Sequence, residues 1–233
     1  MIHDSFLCDI YFIRHGESES NVVTGMAAGV NFDAPMTERG HRQARALGKR
    51  LGAEGVEFDR IYSSSMTRAV QTAQGMLEGM GIPDTQFRRA DEIIELQVPG
   101  WRGKRQVDVI TPEVALLQVT KGKWFVPPDG ESERMVERRF SNWIEDEVTN
   151  NPDFAKLGRQ TIAIVSHGLA LKCLFHYILG YNDRFIRQFV IDNTAISRFR
   201  FTSTGWFLVS LNDASHTWEL GDVNREKAMN ITP

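Results

Sequence analysis

Asp9-Ile10-Tyr11-Phe12-Ile13-Arg14-His15-Gly16-Glu17 is the stretch from which the rest of the chain is read. Apolar, aromatic and β-branched residues over 9–14 predict a strand, and Arg-His-Gly predicts where it stops. The pattern returns at Ile162-Ala163-Ile164-Val165-Ser166-His167-Gly168. That run is continuously apolar, as a strand buried on both faces of a parallel sheet must be. Two strands therefore each end in a His-Gly pair.

Working outward, Thr37 is positioned to cap a helix carrying Ala44, Leu47 and Leu51 on one face. A second strand over 58–63 leads into Ser63-Ser64-Ser65. The helix after it places Met66, Ala69, Val70, Ala73, Met76, Leu77 and Met80 in one stripe and ends at Gly79, Gly81 and Pro83. A short strand is predicted near 86–90, followed by a long irregular stretch over about 91–130 that reads as a cap or lid. Ser132 opens a helix over about 132–149, and 168–179 is apolar nearly all round, so it belongs inside. Segments 194–202 and 205–212 alternate about Ser203-Thr204-Gly205 and predict a hairpin. Alternating strands and helices predict an α/β fold, a mainly parallel sheet with helices on both faces. Ligands in such sheets bind at the carboxyl ends of strands, where both His-Gly pairs lie.

The 233 residues suit a single domain with its core over about 9–212 and a weakly patterned tail over about 213–233. Apolar content of 42% and charged content of 24% are those of a globular protein, and a net charge of -3 provides no global field for nucleic acid. Cys8 and Cys173 are too few for a disulfide framework, which points to a reducing, cytoplasmic setting. The N-terminus lacks the pattern of a signal peptide, and no apolar run approaches the roughly 18 residues of a membrane span.

Histidine beside arginine at a strand end suits attack on phosphorus, because a phosphoryl group spreads charge over three oxygens that need neutralising. Arg14 can donate a forked pair of hydrogen bonds. Arg68 lies in the first turn of its helix, where free N–H groups also favour an anion. His167 and Asn21 are further candidate donors. Neutral His15 can attack through one ring nitrogen if the other donates to a backbone carbonyl. Glu95 is the candidate general acid, with Glu92 as a rival in the same acidic stretch. Two arginines in one pocket would repel a cation, so a metal site at His15 and His167 is disfavoured, and no cofactor is called for. His41, His176 and His216, together with His3, lack evident partners and read as structural or exposed.

These residues resemble the histidine phosphatase superfamily, in the branch with cofactor-dependent phosphoglycerate mutases and fructose-2,6-bisphosphatases. Arg14-His15-Gly16-Glu17-Ser18 with Asn21 looks like its signature, and Asp33–Gly40 with Gln43-Ala44 resembles its next block. Ser63–Ala73, Glu95 with Gly100-Trp101-Arg102-Gly103, Asp129-Gly130-Glu131-Ser132 and Val165-Ser166-His167-Gly168 follow in family order over about 9–200. The resemblance implies a three-layer α/β/α sandwich and a phosphohistidine at His15. It further implies phosphate contacts from Arg14, Arg68 and His167 (with Gly168), Glu95 as proton donor, and no metal. Pro99 and Arg102 depart from the family's acid motif and make the pocket mouth more basic. Arg102 or Lys104 is accordingly expected to hold a second anionic group. Mutases of the family carry a longer insertion than residues 104–129, which favours hydrolysis of a small phosphate ester. A phosphoglycerate mutase, and a silent binding module, are the alternatives. The chain is compatible with a homodimer, and neither nucleic acid nor membrane is an expected partner.

Overall fold

The computed structural model describes residues 6–27 and 33–220. Six strands form one sheet in the order β3-β2-β4-β1-β5-β6, namely Arg88–Ala90, Arg60–Ser64, Arg159–Ser166, Leu7–Arg14, Ile196–Thr202 and Gly205–Asp213. Strands β3, β2, β4 and β1 run parallel, whereas β5 and β6 form the expected antiparallel hairpin at one edge. Alternate residues of the central strands point to opposite faces. Tyr11, Ile13, Ala163 and Val165 meet α2 (Glu38–Ala53) and α3 (Thr67–Met80). Ile10, Phe12, Ile162 and Ile164 face α6 (Glu133–Ile144) and α8 (Gly168–Leu179). The short helices α1 (Glu19–Val22) and α7 (Pro152–Ala155) lie in connections, and the result is the three-layer α/β/α sandwich.

The predicted helix ends follow their capping chemistry. Thr37 accepts the Gly40 N–H at 3.1 Å, Ser132 accepts the Met135 N–H at 3.2 Å, and Gly81 closes α3 at φ 79°. Helices α2 and α3 approach backbone to backbone through glycines. A Cβ on Gly48 would lie 2.0 Å from the Met76 carbonyl oxygen and 2.8 Å from the Gly79 Cα. Gly48→Ala is therefore expected to cost about 2–3 kcal/mol, since rigid backbone cannot yield as a side chain can. Urea denaturation measures it, and an unshifted midpoint would show that the helices part freely.

Three expectations change. The stretch 91–130 is not irregular: it contains α4 (Gln106–Val109) and α5 (Pro112–Lys121). Helix α5 leaves Leu116, Leu117 and Val119 exposed, so it has no apolar stripe to announce it, although Thr111-Pro112 was an available start signal. The helix from Ser132 ends at Ile144 and continues as a π turn over Glu145–Thr149. His176 does not lack partners: buried at the end of α8, it bonds Glu137 at 2.7 Å and Asp183 at 2.9 Å. The tail from Ser215 to Leu220 forms a 3-10 turn, whereas His3 and residues 221–233 lie outside the described residues. Among the described residues no helix is long and apolar enough to cross a membrane.

Candidate active site

Strand register brings the two His-Gly pairs together. Arg14 on β1 pairs with Ser166 on β4, so the next residues, His15 and His167, leave the sheet side by side. Their ring centroids are 5.1 Å apart, and both are buried. The His15 N–H donates to the Ser166 carbonyl at 2.9 Å, tying the two strand ends to each other.

His15 is oriented by its own backbone. Nδ1 lies 2.7 Å from the Gly16 carbonyl, which can only accept, so Nδ1 carries the hydrogen. Nε2 then keeps its lone pair and accepts the Arg68 Nε–H at 3.2 Å. Burial, then the charges of Arg68 and Arg14, hold the His15 pKa well below the ordinary histidine value, so the ring is neutral at neutral pH. His167 is held neutral likewise, by burial first and Arg68 next. Its Nε2 meets the Ser64 hydroxyl at 2.7 Å, and its Nδ1 is buried without a partner.

Arg68, also buried, is placed by the first turn of α3. Arg14 donates through Nη1 to the Ile191 carbonyl at 2.6 Å, while its Nε is buried and unpartnered. Gly168 leaves room for that guanidinium: a Cβ there would lie 3.3 Å from the Arg14 Nε. Two buried polar atoms of this cluster, Arg14 Nε and His167 Nδ1, have no hydrogen-bond partner, which makes them candidate contacts for a bound group. Burial pulls both arginines below their ordinary pKa, and the charge of Glu95 opposes it in each case.

Glu95 belongs to this cluster. Its Oε1 accepts the N–H groups of Leu96 at 2.8 Å and Ala170 at 3.1 Å, and its Oε2 accepts only that of Leu169 at 3.2 Å. Glu92 is exposed and enters through its main-chain carbonyl alone, bonded to Arg139. Asn21 is exposed and linked to the His15 main chain through Asn193; its carbonyl oxygen accepts from Ser18 and Asn193, which leaves its NH2 group for a ligand. Arg102, Lys104 and Arg105 are exposed; this segment pairs with the 25–27 loop through Lys104 and Gln106, and Arg105 is occupied by Asp108.

Sequence reading missed Asn193 and Thr194. Asn193 Nδ2 donates to the His15 carbonyl at 3.0 Å, and the Thr194 N–H donates to the Arg14 carbonyl at 3.0 Å. Thr194 adopts φ 58° although fully buried, a costly conformation for a β-branched residue. The Asp-Asn dipeptide before it was only a weak turn signal. Behind Thr194 stands His216, 2.9 Å from its hydroxyl, with its pKa pushed down to about 4 by burial and Arg50. The unfolded chain takes up a proton here below about 6.5 and the folded chain only near 4, so stability falls as pH drops through that window. Urea unfolding at stepped pH is expected to show this slope, flattened in His216→Gln; an unchanged slope would assign it to other groups.

Fold and site together define an α/β protein whose parallel strand ends gather two neutral histidines and two arginines into one cluster. Residues 10–214 match the histidine phosphatase superfamily (branch 1), and the chain belongs to that superfamily. It is 33% identical to the 2,3-bisphosphoglycerate-dependent phosphoglycerate mutase of Bartonella tribocorum over 178 residues, 74% of this chain and 82% of that one. Among solved structures, Bacillus stearothermophilus YhfR superposes with a TM-score of 0.75 at 26% identity, covering 90% of this chain and 98% of its own. Phosphoserine phosphatase from Entamoeba histolytica, in complex with 3-phosphoglyceric acid, gives 0.74 at 25% identity with the same coverage. Mutases and phosphatases thus both occur among its relatives.

Proposed function

We propose that the protein is a phosphomonoester hydrolase that works through a phosphohistidine on His15, without a metal ion, on a small phosphorylated metabolite. The observation that carries this is the state of His15: neutral, hydrogen-bonded at Nδ1 to Gly16, with its Nε2 lone pair directed at an arginine. In the first step Nε2 attacks phosphorus and the ester P–O bond breaks. Glu95 gives its proton to the leaving alkoxide through Oε2, the less engaged oxygen. In the second step Glu95 takes a proton from water, the water oxygen attacks phosphorus, and the P–N bond breaks to restore neutral His15. Arg14, Arg68, His167 and Asn21 supply donors to the phosphoryl oxygens. Exposed Arg102 is the candidate for meeting a second anionic group on the substrate. The free, buried thiols of Cys8 and Cys173 are consistent with a cytoplasmic setting.

The test is phosphate release from 4-nitrophenyl phosphate in excess chelator, with trapping of an acid-labile phosphoenzyme. Turnover that chelator abolishes would reject the metal-free route. The identity to a mutase favours a second reading, in which the phosphohistidine returns its phosphoryl group to a phosphoglycerate. The short segment 104–129 favours hydrolysis instead, because it leaves less chain to seal the pocket from water. Phosphoglycerate with a bisphosphoglycerate primer discriminates: isomer exchange faster than phosphate release would make the protein a mutase. Absence of any phosphoenzyme would leave a silent binding module.

A further inference from the structure

We infer that Arg139 is a positioning residue for the general acid: its guanidinium holds the 92–97 loop so that Glu95 stands where the leaving group needs its proton. The inference rests on the proposed role of Glu95. A loop without a strand partner has to satisfy its carbonyls elsewhere, and here one side chain from α6 does most of it. Arg139 donates to the carbonyl of Glu92 at 2.5 Å, of Ile94 at 2.8 Å and of Glu95 at 3.0 Å. The Ile93 carbonyl is taken by the Ser166 hydroxyl at 2.8 Å, which fixes the loop to the end of β4.

The same guanidinium forms a fork on Glu131, at 2.9 and 3.2 Å, and side-chain exposure of 19% for both partners puts the pair largely out of water. Glu131 also receives the Gln97 N–H at 2.9 Å and returns its own N–H to the Gln97 carbonyl at 2.8 Å. Gly130 permits this approach, because a Cβ there would lie 2.9 Å from the Gln97 carbonyl oxygen. This gives the Asp129-Gly130-Glu131-Ser132 motif a task beyond capping α6: it orients Arg139 and closes the far side of the acid loop. Glu95 is thereby held at both ends, its carboxylate by the N-terminus of α8 and its main chain by Arg139. A planar fork with five donors can span these acceptors, whereas an ammonium cannot.

Loss of Arg139 displaces the acid and leaves the nucleophile and phosphate pocket in place. Misplacing a catalytic group by about 1 Å costs up to about 100-fold. The discriminating readout is the leaving group, since 4-nitrophenolate departs without a proton and an alkoxide does not. Arg139→Ala is expected to lower kcat/KM on glycerol phosphate about 100-fold, within the range for losing general-acid catalysis, and kcat/KM on 4-nitrophenyl phosphate less than about threefold, because kcat/KM reports steps up to departure of the leaving group and not the later hydrolysis of the phosphohistidine that Glu95 also serves. Arg139→Lys is expected to follow it. Glu95→Gln should show the same split, and adding Arg139→Ala to it should cost nothing more on glycerol phosphate. The aryl kcat/KM, which excludes the hydrolysis step, reports in every variant that the pocket is folded. Equal losses on both esters, or losses that add in the double variant, would overturn the inference while Glu95 stands. A Glu95→Gln enzyme with no split between esters would overturn the acid assignment and this inference with it.

Discussion

His15→Ala is expected to lower kcat on an aryl phosphate by about 10⁴-fold or more, the scale of losing a nucleophile that works as a unit with its neighbours. Among the described residues the ring beside it is that of His167, whose Nε2 is engaged by Ser64 and whose Nδ1 is the proposed donor to the phosphoryl oxygens. The substitution also removes the Nδ1 bond to Gly16, but Gly16 stays held by its N–H to the Thr72 hydroxyl at 2.9 Å. The pocket should therefore survive, and phosphate or vanadate should still bind through Arg14 and Arg68. The paired measurement is turnover with acid-labile phosphoenzyme: wild type forms it and His15→Ala does not. Turnover that survives in the variant would mean that water attacks phosphorus directly and His15 is only a contact.

Arg68→Ala is expected to cost about 10²–10³-fold in kcat/KM, as for other single donors to a transition-state charge. It should also change the pH profile, because Arg68 is the larger of the two charges that hold the His15 pKa down. The active form of His15 is neutral, so activity is lost as pH falls through its pKa, and in the wild type that limb lies well below 6.5. Removing the positive charge lets the ring protonate more readily, and the limb moves up toward 6.5. It does not arrive there, since burial, the largest cause, remains. Arg68→Lys separates the two roles: it keeps the charge and loses the planar geometry, so the rate should fall with little movement of the limb. A limb that stays in place in Arg68→Ala would show that His15 is not the titrating group.

Much of the fold was legible along the chain because the relevant signals are local. The strand at 9–14, the stripe from Met66 to Met80, the caps at Thr37 and Ser132 and the hairpin about Ser203-Thr204-Gly205 each depend on neighbours within a few residues. Helix α5 was not legible, because it packs little of its surface and its exposed leucines and valine follow no stripe. His176 was misread for a different reason. Its partners, Glu137 and Asp183, come from other segments that only packing brings within 3 Å. Arg139 has the same history, as a helix residue whose acceptors lie in a loop more than forty positions earlier.

From residue chemistry alone came the two apolar strands that must be buried, their ends in His-Gly, and an arginine beside the first of them. That was enough to propose a nucleophile and a phosphate pocket. The pairing of Arg14 with Ser166, which sets the rings 5.1 Å apart, belongs to the folded sheet, as do the choice of Nε2 as the free nitrogen and the support from Asn193 and Thr194. The physical reason is that apolar periodicity and capping act over a turn or a strand, whereas register, burial and the depressed histidine pKa arise only when distant segments exclude water together.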